Sequence, residues 1–280
     1  MDSAIAWLAG LLEGEGAFTV SGHAQPNIKV GMTDEDVVRR AAGILGSRNV
    51  AHRTDSRGFK DIFIAQIAGQ RAANWMAVLY PMMGMRRQAQ IYRVFEVCKQ
   101  PLVISSTALS DELRLHWLVG LLEGEGSFSS GPPSAPNRSV IQMTSTDRDV
   151  IEVAAQILEV TVFRNRKANA KHKEAFSIHL RGQQALHWMA LLRPHMGLRR
   201  QQQIDQAVAS SDNQRAARQG EFNRATKLSR SDVLEIYQRL QLGESERALG
   251  VEFGVNHTTI GDIDSGKTWG WLTGAKPKAE

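Results

Sequence analysis

The stretch Trp7–Phe18, WLAGLLEGEGAF, returns almost letter for letter at Trp117–Phe128 as WLVGLLEGEGSF. In the first copy Trp7, Leu8, Leu11 and Leu12 fall at helical spacing, Asp2 stands ahead of them as an N-cap, and Gly14 and Gly16 close the run. This pattern predicts a buried or half-buried helix with Glu13 and Glu15 in or just beyond its last turn. Carboxylates there meet the negative end of the helix dipole, at a cost of a few tenths to about 1 kcal/mol each. Acids that point into water cost little. Acids gathered where two such helices converge repel one another unless divalent cations sit between them. Gly10 and Gly14, repeated as Gly120 and Gly124, have the four-residue spacing that lets two helix backbones approach closely. If the copies pack through these glycines, their acidic ends meet.

The duplication extends far beyond the motif. MTDEDVVRRAAGIL from Met32 corresponds to MTSTDRDVIEVAAQIL from Met143, and GQRAANWMAVLYPMMGMRRQAQI from Gly69 to GQQALHWMALLRPHMGLRRQQQI from Gly182. In each unit a helix is followed by two β-like pieces, a helix, two further strands and helices. In the first unit these are strands at Phe18–Val20, Ile28–Thr33, Val50–Arg53 and Phe59–Ile67, with Asp55, Ser56 and Gly58 as turn residues and helices at Asp34–Leu45, Arg71–Leu79 and Arg86–Lys99. One face of each four-stranded sheet is then covered by helices and the other is free to bind. The divisions that follow are repeat 1 over residues 1–100, a linker at 101–109, repeat 2 over 110–211, a flexible tether at 212–226, a helical module at 227–272 and a tail at 273–280.

With 280 residues, 42% of them hydrophobic, the chain can bury ordinary cores. It has no apolar run long enough to span a membrane and no signal-peptide pattern, so the expected setting is the cytoplasm, at the nucleoid if the source is prokaryotic or a phage. Cys98 alone excludes an intramolecular disulfide and a cysteine-rich zinc site. The net charge is +5, and the whole excess lies in the duplicated part, since residues 210–280 carry ten bases and ten acids. That distribution fits a polyanionic partner. The cations fall on strands and turns: Lys29, His52, Arg53, Arg57 and Lys60 in the first unit, and Arg138, Arg164, Arg166, Lys167, Lys171 and Lys173 in the second. As a set they suit a β-surface in the DNA major groove. The pairs Arg86–Arg87 and Arg199–Arg200 start a helix in each unit, and touch phosphates or merely solvate that helix.

LAGLLEGEG (Leu8–Gly16) and LVGLLEGEG (Leu118–Gly126) resemble the signature of the LAGLIDADG homing endonucleases in their two-repeat, single-chain form. The resemblance covers about residues 1–209. It implies an α+β fold in which two αββαββα units form a pseudo-dimer, with signature helices at a pseudo-twofold seam and two saddle-shaped sheets on double-stranded DNA. It further implies that Glu15 and Glu125 are catalytic and bind Mg²⁺, with Mn²⁺ as a substitute, that the carbonyls of Gly14 and Gly124 are additional ligands, and that Glu13 and Glu123 are structural. Family members also place a cation near the end of the last strand. Arg181 occupies that position in the second unit and Ala68 in the first, while Asp34 and Ser145 stand at the other auxiliary position, so the half-sites are expected to be unequal. From Leu228, Gly254 at a sharp turn, apolar Val255, and Ile260 and Ile263 six and nine residues after the glycine resemble the helix-turn-helix family, which implies that Asn256, His257, Thr258, Thr259 and Asp262 face a groove with Lys267 near phosphate. The expected product is a staggered double-strand break made by a monomer with internal pseudosymmetry. The alternatives are a cleavage-deficient DNA-binding regulator and a maturase, the latter alone implying RNA as a partner.

Overall fold

The computed structural model describes residues 2–54, 60–104, 109–130, 139–167, 173–216 and 227–275. The first unit spans Met1–Val208 and the second Ala209–Glu280. In the first repeat the order is α1 (Asp2–Glu15), β1 (Gly16–Ser21), β2 (Gln25–Met32), α2 (Glu35–Leu45), β3 (Val50–Arg53), β4 (Ile62–Ala68), α3 (Gln70–Leu79) and α4 (Met85–Val97). The second repeats it with α5 (Asp111–Glu125), β5 (Gly126–Ser129), β6 (Val140–Ser145), α6 (Arg148–Leu158), β7 (Phe163–Arg166), β8 (Ala175–Arg181), α7 (Gly182–Leu192) and α8 (Leu198–Ala216).

Each repeat builds one antiparallel sheet, ordered β1-β2-β4-β3 and β5-β6-β8-β7. Strand alternation divides each sheet into two faces. Phe18, Ile28, Val30, Ala65 and Ile67 are buried under the helices, whereas Thr19 and Gln66 are exposed and Lys29 is half-buried. Burying one such large apolar side chain contributes about 1.5–3 kcal/mol, which pins the register, because a one-residue slip would turn the whole set to solvent.

At the centre, α1 and α5 cross backbone to backbone. A Cβ on Gly10 would stand 1.9 Å from the Trp117 carbonyl oxygen, and one on Gly120 1.9 Å from that of Trp7. Leu8, Leu11, Leu12, Leu118, Leu121 and Leu122 close around the crossing, each 0–1% exposed. The Gly-x-x-x-Gly spacing therefore acts at Gly10 and Gly120, while Gly14 and Gly124 each face a side chain of the other helix.

Several expected boundaries move. β2 begins at Gln25 rather than Ile28, α4 ends at Val97 rather than Lys99, and α8 continues to Ala216, into the stretch expected to be a tether from 212. The last has a simple cause: Ser210–Ala216 contains no Gly or Pro to stop a helix. Asp55, Ser56, Gly58 and Phe59 lie outside the described residues.

The second unit holds α9 (Arg230–Gln241), α10 (Glu246–Glu252), α11 (His257–Asp264) and α12 (Gly270–Thr273) around Leu228, Val233, Ile236, Leu249, Ile260, Ile263 and Trp269. Ser229 and Asp232 make a reciprocal capping box on α9, and Ser245 and Asn256 cap α10 and α11. Between α10 and α11 the chain turns at Gly254, whose φ of +65° favours a residue without a side chain. Gly250 lets the start of α11 close in, since a Cβ there would meet the Val255 carbonyl oxygen at 3.0 Å.

Candidate active site at the seam between the repeats

Because α1 and α5 cross at Gly10 and Gly120, their C-terminal ends lie side by side. Glu15 reaches over Gly124 and Glu125 over Gly14, so that a Cβ on Gly124 would sit 2.8 Å from Glu15 Cγ and one on Gly14 3.0 Å from Glu125 Cγ. Burial raises the pKa of both carboxyls, and for Glu15 the charge of Glu125 is the next cause. The paired-acid motif thus becomes one site shared between the repeats.

The first acids have a different task. Glu13 and Glu123 are 2% and 0% exposed. Glu13 accepts from the Gly84 amide at 2.8 Å, and Glu123 from the Gly197 amide, which places each carboxyl at the start of α4 or α8. The other oxygen of each is buried with no hydrogen-bond partner. Burial pushes both pKa values up to about 7 against the pull of those amides.

The arginine pairs complete the seam. Arg87 Nε donates to the Glu13 carbonyl (2.9 Å) and Nη2 to the Gly14 carbonyl (2.7 Å), while Nη1 is held by Gln90 Oε1 (3.0 Å). In the other repeat, Arg200 Nε and Nη2 donate to the Glu123 carbonyl (3.1 and 2.8 Å), Nη2 also to the Gly124 carbonyl (3.1 Å), and Nη1 to Gln203 Oε1 (2.9 Å). Arg86 and Arg199 are half exposed and bond across the repeats, Arg86 to Asp147 (2.5 Å) and Arg199 to Asp34 (2.7 Å). Next to them, the amides of Met85 and Leu198 donate to Asp149 (2.6 Å) and Asp36 (2.7 Å) of the opposite repeat.

This geometry corrects one part of the expected inequality, the pairing of Asp34 with Ser145. Asp34 and Asp147 are the N-caps of α2 and α6 with the same backbone angles, so Asp34 corresponds to Asp147 and not to Ser145. The cations acting on Glu125 are Arg86, Arg87 and Arg200, and those acting on Glu15 are Arg199, Arg200 and Arg87. Arg181 stands opposite Val140, three residues before the Met143 that pairs with Gly126, about 10 Å along the strand. It lines a surface pocket with Phe163, His179 and Gln184. The signal for the arginines was present, as the same Arg-Arg pair follows a glycine in both repeats, but their partners are distant in sequence.

Does the site suit a divalent cation? Among the described residues no three His, Cys, Asp or Glu side chains gather as a metal cluster, so the protein's side-chain donors at the seam are the two carboxylates. Two partly buried, mutually repelling oxygen ligands fit a hard cation that completes its shell with water or phosphate oxygens, as Mg²⁺ does. The Gly14 and Gly124 carbonyls each already accept a guanidinium N–H, which leaves one lone pair apiece.

The remaining sequence-selected residues lie on the sheets and the second unit. Lys29 is on β2, Arg53 ends β3, and Lys60 is exposed ahead of β4. His52 stacks on Phe63 and pairs with Asp61 at 2.8 Å. Arg164 pairs with Glu174 at 2.9 Å, Arg166 is the last residue of β7, and Lys167 and Lys173 are exposed. Arg57, Arg138 and Lys171 lie outside the described residues. Sequence reasoning, drawn to cations, missed a polar row across the first sheet: Asn27 Nδ2 donates to Thr19 Oγ1 (2.9 Å) and Gln66 Nε2 to Asn27 Oδ1 (2.7 Å). In the second unit Asn256 is occupied as the cap of α11, His257 and Thr258 are exposed, Thr259 is half-buried, and Lys267 is 3.5 Å from Asp262.

Two αββαββα repeats meeting through paired glycine-rich helices, with an antiparallel sheet on each, define the LAGLIDADG nuclease fold. The LAGLIDADG homing endonuclease I-GzeII, solved in complex with a DNA target, matches with a TM-score of 0.50 at 10% identity over 78% of this chain and 94% of that one. I-SmaMI, another LAGLIDADG homing endonuclease, solved bound to cleaved DNA, gives 0.45 at 12% identity over 76% and 91%, and a variant of the homing endonuclease I-DmoI gives 0.39 at 10% over 67% and 88%. No protein-family model and no curated protein sequence matches this chain.

Proposed function

We propose that this chain is a site-specific homing endonuclease that makes a staggered double-strand break in a long DNA target. The observation that carries the reading is the crossing of α1 and α5, which brings Glu15 and Glu125 together over each other's helix ends. I-GzeII, of the same fold, was solved with a DNA target. Double-stranded DNA is accordingly the proposed partner, lying along the exposed sheet faces with Lys29, Arg53, Lys60, Arg164, Lys167 and Lys173 at phosphates and base edges. Gln66, the exposed end of the Thr19–Asn27–Gln66 row, adds an amide that suits adenine.

Glu15 and Glu125 would hold Mg²⁺ or Mn²⁺ between them and the scissile phosphates. Such an ion, when bound, activates water and stabilises the leaving oxygen. Arg86 and Arg199, half exposed beside the acids, are placed to neutralise phosphate charge. We further infer that α9–α12 is a helix-turn-helix module, supported by the Gly254 turn and the packing of α10 on α11. Its segment from Lys227 to Ala275 carries five bases and seven acids, so its DNA contacts fall to the N-terminal end of α11, at His257 and Thr258, rather than to a broad basic face.

Incubating the protein with a randomised plasmid library, with Mg²⁺ and with EDTA, tests the reading. Linear product from a narrow set of sequences, dependent on the metal and lost in Glu15→Gln with Glu125→Gln, is expected. Tight sequence-selective binding with no cleavage in Mg²⁺ or Mn²⁺ would instead identify a cleavage-deficient DNA-binding regulator.

A further inference from the structure

Resting on the endonuclease reading, the geometry points to Arg87 and Arg200 as the positioning residues of the two half-sites: each forks onto the last carbonyls of one signature helix and so fixes the direction in which Glu15 or Glu125 leaves it. Neither α1 nor α5 has a basic residue in its last turn, and both end on a glutamate, so each helix terminus lacks the cation that would offset its dipole. Arg87 and Arg200 supply it from α4 and α8. Each is 5% exposed, and every guanidinium nitrogen is hydrogen-bonded, between two consecutive carbonyls and a glutamine, which turns both away from DNA.

The arrangement occurs twice, built by equivalent residues in the two repeats. A planar fork serves two adjacent carbonyls at once, which an ammonium point charge does not. Fixing both carbonyls fixes the peptide that precedes the metal-facing glutamate, in the way that outer partners orient a ligand. Arg87 holds the Gly14 carbonyl and so governs Glu15, while Arg200 holds that of Gly124 and governs Glu125.

Arg87→Lys and Arg200→Lys separate geometry from charge, because the charge is retained and the fork is lost. Three measurements on the full chain decide: Mn²⁺ binding, read from the loss of the free-ion EPR signal; metal-free DNA affinity; and nicking of each strand on end-labelled target. Arg87→Lys is expected to weaken Mn²⁺ binding about 10- to 100-fold, to leave metal-free DNA affinity within about 2-fold, and to slow one strand, with Arg200→Lys slowing the other. Gln90→Ala and Gln203→Ala, which release Nη1 without disturbing the buried charge, should reproduce the same strand bias at smaller size and cover the case in which the lysine variants fail to fold. Unchanged Mn²⁺ binding in the folded variants, or equal slowing of both strands alongside lost thermal stability, would overturn the assignment. Wild-type protein that binds Mn²⁺ and DNA without cutting would defeat the endonuclease reading instead, and the Mn²⁺ titration would still report on Arg87 and Arg200.

Discussion

Replacing Gly10 by Ala tests the crossing that creates the site. The new Cβ would lie 1.9 Å from the Trp117 carbonyl oxygen and 2.8 Å from the Leu121 nitrogen. Both obstacles are backbone and cannot rotate aside, so the helices must part by roughly 1.5 Å to restore ordinary van der Waals contact. Parting them loosens the six leucines that close around the crossing, and overpacking of this kind costs about 1–3 kcal/mol, more where neither side yields. Alanine's better helix propensity returns up to about 1 kcal/mol, leaving an expected net loss of about 2 kcal/mol. Gly43→Ala is the matched control: Gly43 lies within α2 with nothing within 4 Å of its missing Cβ, so the same substitution should stabilise by up to about 1 kcal/mol. Gly10→Ala with Gly120→Ala should cost less than the sum of the two, because one separation relieves both clashes. Urea unfolding followed by hydrogen exchange of α1 and α5 peptides reads this seam apart from the second unit. If Gly10→Ala matched Gly43→Ala in sign and size, the helices would not cross at these glycines.

Glu15→Gln and Glu125→Gln should each abolish cutting of at least one strand while leaving DNA affinity largely intact, because they remove charge from the seam and touch no base or phosphate contact; double-strand cleavage by the double variant would exclude the proposed chemistry. Glu13 and Glu123 hold their protons up to about pH 7 in the folded protein but ionise near 4.5 when unfolded, so between those values the native state binds more protons and stability falls as pH rises. Replacing both with Gln should flatten that slope in thermal melts from pH 5 to 8, and a slope untouched by the substitutions would show that these carboxyls are already ionised. A chain ending at Ala216 should bind the same central target more weakly, by on the order of 10²-fold, if the helical module is a tethered second contact; filter binding that finds equal affinity would deny the module that role.

The duplication, the helical and strand periods and the acid pair were all legible in the sequence, because each is a local pattern or a comparison of one stretch with another. The two pairs of β-like pieces in each unit predicted a sheet with one face under helices and one free, and the glycines four apart predicted a close crossing. The partners of the arginines were not legible. Arg87 meets Gly14 from 73 positions away, and Arg86 meets Asp147 only because the start of α4 packs against the start of α6 in the other repeat. Matching the two MT pairs set Asp34 against Ser145, but the pairs are not equivalent: Val30 and Met143 stand opposite Gly16 and Gly126, which sets Asp34 against Asp147, as their N-cap geometry and equivalent arginine partners also do. Sequence alone determined that two homologous acid-bearing helices exist and where each must end. Only the tertiary structure decided that their ends lie side by side and which cations flank them, because those contacts follow from how closely two glycine-notched helices approach and from what their approach carries along.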